Sequence, residues 1–213
     1  SFAYEYHFWK HQHFDPGLMY ISRRIYEDIR SLKLIGLEGN VDVGSQRSFF
    51  PNGLHIYVYA ETLMDRNCDY ETMVADYFSH IYGEDWVQVK TLLQRMSDTF
   101  EFAYLSGQCS KDIRKGLYYN PEKAVQLTQV KAIAEEERKM AKAHLAMPTR
   151  PQTVSYRLLL RHAEYCERLA EALIAKAQGF EDEAVDLWKA FCCDFGVYEL
   201  ELERYFDHAQ TFR

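Results

Sequence analysis

Residues 2–9 alternate in a two-residue period. Phe2, Tyr4, Tyr6 and Phe8 fall on one side, and Ala3, Glu5 and His7 on the other, which predicts a strand with one wholly aromatic face. After Asp15-Pro16 the period changes. Leu18, Ile21, Ile25, Ile29 and Leu32 recur every three or four positions, the stripe of an amphipathic helix over 16–34. Asp15 is placed as its N-cap, Pro16 at its first position and Gly36 as its stop. Leu37, Val41 and Val43 then alternate with Glu38, Asn40 and Asp42, predicting a second strand over 37–43. Strand, helix, strand in this order predicts a βαβ unit with parallel strands and a right-handed crossover. Two parallel strands do not make a stable sheet alone, so further strands are expected from sequence outside this chain or from another chain. A chain that opens inside a strand reads as the back part of a longer protein.

From residue 50 onward the pattern is helical. A short segment covers 54–64. Asp69 caps a second, striped by Met73, Val74, Tyr77, Phe78 and Ile81 and stopped by Gly83, and a third carries Trp86, Val89, Leu92, Leu93, Met96 and Phe100. Residues 105–119 read as an irregular connection. Asn120-Pro121 opens a long helix to about His144, Pro148 and Pro151 break it, and another helix follows over 153–178 up to Gly179. The last runs over 181–212, with Gly196 as its weak point. Short connections predict that the last three pack as an antiparallel bundle. The fold class is therefore mainly α with a short parallel β part, divided as residues 1–66 and a helical part over 67–213.

Charge and composition narrow the chemistry. The net charge is −7, which argues against a nucleic-acid partner. No apolar run approaches the roughly 20 residues of a membrane span, so no membrane partner is expected. Five cysteines at no metal-like spacing, two of them adjacent at Cys192 and Cys193, suit reduced thiols in the cytoplasm, with secretion left open. Aromatic residues make up 15%, and their faces pack well on the C–H faces of sugars as well as in a core. Trp86 and Trp188 lie on helical stripes and are expected in the core.

In parallel α/β folds, function gathers after the carboxyl ends of the strands, here residues 7–13 and 42–50. His7, His11 and His13 match no compact ligand spacing, so no metal or other cofactor is expected. Glu5 and His7 share the non-aromatic face. If the aromatic face packs on helices, they point into the lumen of a barrel, where a carboxylate can serve as acid or base, or pair structurally. Asp42 sits nearest the end of the second strand and is the other acid/base candidate. Trp9 is placed to stack on a sugar ring, and His7, His11, Asn40, Gln46 and Arg47 to hold its polar groups, Arg47 by its bidentate fork. His13 is expected to be solvated. The run Glu135-Glu-Glu-Arg-Lys139 reads as a solvated helix face. No Gly-rich phosphate loop, nucleophile elbow, Cys-x-x-Cys or His-Glu-x-x-His is present.

Taken in order, Tyr4-Glu-Tyr-His-Phe8, Asp15-Pro-Gly17, Tyr26-Glu-Asp-Ile29, Gly36-Leu-Glu-Gly39, Gln46-Arg-Ser-Phe-Phe-Pro51, Asp76-Tyr-Phe78 and Ile81-Tyr-Gly83 carry a resemblance. The chain resembles the carboxyl-terminal part of an uncharacterised domain family of bacterial glycoside-hydrolase-like proteins, themselves similar to hexosaminidases and α-glucuronidases. The resemblance spans roughly residues 1–105, and the last three helices match only as a generic bundle. It implies a (β/α)8 TIM barrel followed by a helical domain, with 2–9 and 37–43 as the seventh and eighth strands. The Asp-Glu pair typical of hexosaminidases would lie on an earlier strand and is not in this chain. The expectation is thus a portion of a glycosidase-like hydrolase that acts on or binds carbohydrate, not catalytic alone, its partners a carbohydrate ligand and the preceding barrel segment. The alternative is a non-catalytic helical interaction or carbohydrate-binding module.

Overall fold

The aromatic residues at the front of the chain form strand β1, Phe2–Phe8, which pairs in parallel with β2, Gly39–Gly44. The computed structural model describes residues 1–8, 11–44 and 47–212, with the backbone alone for His11 and Gln12. Phe2 stands opposite Gly39, Tyr4 opposite Val41 and Glu5 opposite Asp42. The register is irregular between Glu5 and Phe8.

Between the strands lie α1, His11–Phe14, and α2, Met19–Ser31, which tightens into a 3-10 turn over Leu32–Ile35 and stops at Gly36 (φ 80°). The predicted start of α2 is corrected from Pro16 to Met19. The turn at Gly17 is pressed onto a later helix, so that an added Cβ would lie 2.1 Å from the Leu93 carbonyl oxygen and 2.4 Å from Ser97 Oγ. Asp15 still serves the helix from outside it, accepting from the Ile21 amide at 2.8 Å.

The rest is helical. It comprises α3, Leu54–Met64; α4, Tyr70–Tyr82, capped by Asp69; α5, Trp86–Phe100; and α6, Phe102–Leu105. Next come α7, Pro121–Leu127, capped by Asn120, and α8, Val130–Ala143. The longest helix is α9, Arg150–Gln178, with Pro151 tolerated in its first turn and Thr149 as its cap. It is followed by α10, Glu181–Gly196; α11, Glu199–Leu202; and α12, His208–Thr211. The single helix expected over 121–144 is broken at Thr128 and Gln129, and the one expected over 181–212 ends at Gly196.

Two apolar clusters form the core. One joins Met96 and Phe100 of α5 to Tyr165 of α9 and to Phe191, Phe195 and Phe206. The other joins Met19 and Tyr26 of α2 and Leu54 and Val58 of α3 to Phe78, Leu93 and Tyr156. It therefore runs from the βαβ unit into the helices after residue 67. Trp86 and Trp188 are half-buried against these clusters. Among the described residues, no helix is long and apolar enough to cross a membrane.

Gly17 and Gly196 give opposite tests. Gly17→Ala should destabilise by about 2–3 kcal/mol, because the added methyl meets backbone that cannot yield. At Gly196 nothing lies within 4 Å of the added carbon, so Gly196→Ala should stabilise by about 0.5 kcal/mol. Urea unfolding midpoints of the two variants check both signs.

Candidate functional site

The packing of β1 inverts the predicted one. The aromatic face is open, with Phe2 73%, Tyr4 62% and Tyr6 56% exposed, while His7 and Asp42 face helices α2 and α3. The physical reason is that the crossover helix and α3 cover the polar side, where His7 and Asp42 satisfy one another and need no water. The register slip after Glu5 lets consecutive rings reach the same neighbour, so Tyr59 of α3 lies 6.3 Å from His7 and 5.2 Å from Phe8.

His7 is held on three sides. Its backbone amide donates to Asp42 Oδ1 at 3.1 Å, its Nδ1 donates to Asp42 Oδ2 at 2.5 Å, and its Nε2 lies 3.6 Å from Asp28 of α2. Asn40 supports Asp42 through a 3.5 Å hydrogen bond. The side chains of His7 and Asp42 are only 10% and 6% exposed. Burial alone disfavours the charged imidazole, but the Asp42 hydrogen bond and the charges of Asp42, Asp28 and Glu5 outweigh it and raise the His7 pKa. Tyr59 is raised by burial and by Asp42, against a hydrogen bond from Asn40. With each ring nitrogen beside a carboxylate, His7 clamps β1 to β2 and α2, and its side chain is engaged within the fold.

The predicted residues therefore separate. His7, Asn40 and Asp42 come together, whereas Glu5 is exposed on the strand. Arg47 is turned away, paired with Asp207 at 3.0 Å. Trp9 and Gln46 lie outside the described residues, as does the side chain of His11. Beyond both strands, the described residues His13 and Arg47–Phe49 meet residues 203–212. Ser48 bridges to Phe206, the Phe49 amide donates to the Tyr205 carbonyl at 2.8 Å, and His13 donates to the Thr211 carbonyl. His13 is thus corrected from a solvated loop residue to a partly buried one, with Trp188 5.7 Å from its ring.

The chain matches no family model, no curated protein and no solved structure. The glycoside-hydrolase resemblance thus rests on its short motifs.

A second polar cluster escaped the sequence reading. Glu137, in the run read as a solvated face, is buried with His162 and Cys166. His162 Nδ1 lies 2.6 Å from Glu137 Oε1 and Nε2 lies 2.8 Å from the Pro16 carbonyl oxygen, with Cys166 Sγ at 3.2 Å. An imidazole with an acceptor at each nitrogen is doubly protonated, because a neutral ring would aim a lone pair at one of them. Burial opposes that charge, and the charge and hydrogen bond of Glu137 overcome it, leaving the His162 pKa well above its ordinary value. Burial holds the Cys166 thiol protonated despite His162, so this Cys–His–Glu set is no nucleophile. The cues in the sequence were the place of His162 on the apolar stripe of the helix over 153–178, with Leu158, Leu159 and Tyr165, and its i, i+4 spacing from Cys166. The nearby Asp15 carboxyl is lifted by burial, against hydrogen bonds from Ser97 and the Ile21 and Tyr20 amides, from 3.8 to about 6.

These groups set the pH dependence. Folded Asp15 binds its proton more tightly than unfolded Asp15, so stability falls as pH rises from 3.8 to about 6, by about 3 kcal/mol. Asp15→Asn should flatten that slope in urea titrations. For His7 the stabilisation is complete below the ordinary 6.5 and is lost as pH rises through its folded value. Asp42→Asn should lower the His7 midpoint in an NMR titration. His162→Leu leaves Glu137 buried and unpaired and should cost about 3–5 kcal/mol, part of which a further Glu137→Leu change should restore.

Proposed function

We propose that this chain is the carboxyl-terminal portion of a glycoside-hydrolase-like protein, with β1 and β2 the last two strands of a (β/α)8 barrel and residues 67–213 its helical domain. In this reading it binds carbohydrate, or acts on it, only when further strands complete the sheet. The observation that carries the reading is the exposed aromatic face of a parallel pair: Phe2, Tyr4 and Tyr6 stand in solvent, as does Val41 of the neighbouring strand. A two-stranded parallel ribbon with an uncovered aromatic face has the surface of an interrupted sheet. The Tyr4 and Tyr6 rings, 5.6 Å apart and edge to face, offer a platform of the kind that packs on pyranose C–H groups.

The roles of the candidates divide accordingly. Glu5, exposed and unclamped by His7, is the acid/base candidate, although it stands on the His7 and Asp42 face and not beside the Tyr4–Tyr6 platform; Trp9 and Gln46 remain candidates for sugar contact. Asp42 and His7 act as positioning groups, because their polar atoms already engage each other. The alternative, a carbohydrate-binding or interaction module without catalysis, is favoured by the continuous apolar cluster that ties the βαβ unit to α4, α5 and α9. That cluster supports folding of the chain without added strands.

The test is an NMR titration of the 213-residue chain with neutral mono- and oligosaccharides, alongside an aryl-glycoside hydrolysis panel. The expected result is no hydrolysis, and amide shifts confined to residues 2–8 and 39–44 that disappear in Tyr4→Ser/Tyr6→Ser. Shifts absent for every sugar, or located on the distal helices, would overturn the carbohydrate reading. Hydrolysis by a longer protein that survives Glu5→Gln would remove Glu5 from the chemistry and leave the module reading.

A further inference from the structure

A groove of about 880 Å3 runs between the first half of α9 and residues 200–205, and its volume lies within the range of roughly 300–1,000 Å3 common for small-molecule sites. Its walls carry Arg150, Arg157, Arg161 and Arg204 against Glu201 and Glu203, four positive charges and two negative. The lining is thus net +2 in a chain whose net charge is −7. Arg161 is already engaged. It grips Glu201 through Nε at 3.1 Å and through a terminal nitrogen at 2.8 Å, and it stacks 3.9 Å over the Tyr198 ring.

The other three differ. Arg150, Arg157 and Arg204 pair with no carboxylate among the described residues, although the sequence holds 32 acidic residues. Outside the groove most described arginines are paired, Arg30 and Arg66 being without a carboxylate partner among the described residues. Arg24, Arg95, Arg114, Arg138 and Arg168 each hold an Asp or Glu. Arg150 and Arg157 are seven residues apart on α9, two turns and about 10 Å along one face. Tyr205 and apolar side chains of α9, among them Leu158, complete the wall.

Uncompensated guanidinium forks over an apolar and aromatic wall suit a planar or tetrahedral oxyanion on an organic body. We infer that this groove is a binding site for a small organic anion, carrying phosphate or carboxylate groups, held by Arg150, Arg157 and Arg204. The inference does not depend on the barrel or the sugar reading. None of its lining residues belongs to β1 or β2.

Isothermal titration of the whole chain at low ionic strength tests it, with citrate, glucose 6-phosphate and uncharged glucose as probes. The expected result is saturable binding of citrate, glucose 6-phosphate or both, and none of glucose in this groove. Citrate alone marks a carboxylate site, and glucose 6-phosphate alone a phosphate site. The triple variant Arg150→Gln/Arg157→Gln/Arg204→Gln should bind at least tenfold more weakly, while Arg66→Gln, an exposed arginine outside the groove, should bind as the parent does. The three side chains make no described hydrogen bond, so an unchanged near-ultraviolet dichroism spectrum is expected. Glu203→Gln, which removes a negative charge from the wall, should tighten binding and provides a variant that loses no arginine. No saturation by either anion, equal affinity in the triple variant, or an equal loss in Arg66→Gln would overturn the assignment.

Discussion

The buried imidazolium of His162 is the constraint on which the arrangement of this protein turns. Its two ring nitrogens face Glu137 of α8 and the Pro16 carbonyl, and the Phe50 ring packs edge-on 5.9 Å away. One side chain therefore touches the segments that follow both strands and joins two long helices. A charge at this depth persists only with its counter-charge and both hydrogen bonds in place, so the three partners hold one another to a single geometry. The pressed turn at Gly17 follows from it. With the Pro16 carbonyl fixed on α9, the next residue is forced against α5, where only a hydrogen fits.

The second ionic device, His7 with Asp42, works differently. It lies at the rim of the sheet and replaces apolar packing between the ribbon and α2. Because that polar face turns inward, the rings of β1 are left in solvent. The same charge pairing that makes the βαβ unit self-contained thus creates the exposed aromatic surface on which the carbohydrate reading rests.

How much was legible in the sequence follows from how local each signal is. The caps Asp69 and Asn120, the stops Gly36 and Gly179, and the stripe of α2 all act within a turn or two of themselves, and they were readable. The parallel order of the strands was readable too, since a helical crossover of this length imposes it. The orientation of β1 was not, because alternation identifies two faces without saying which one a later helix will cover. Glu137 was hidden for the same reason. Four of its neighbours in the run 135–139 are polar, and only His162, 25 residues on, explains its burial. Asp15 was recognised as a helix-capping residue, but its depth depends on Ser97 from a helix far along the chain. Of the candidate site, His7, Asn40 and Asp42 do lie together at the strand ends, although their mutual engagement was not foreseen.

The meeting of His13 and Arg47–Phe49 with residues 203–212 also bears on how the protein is made. His13 waits for Thr211, a separation of 198 residues, and Arg47 waits for Asp207. At about 5–20 residues per second, a ribosome that has released Arg47 needs roughly 10–30 s more to deliver its partner. During that interval the helices 54–100 can already pack, since their contacts are mostly close in sequence, while the loops after the strands remain unfastened. Residues 203–212 are thus a latch, and the loops that follow the strands stay unfastened in the nascent chain until that latch emerges.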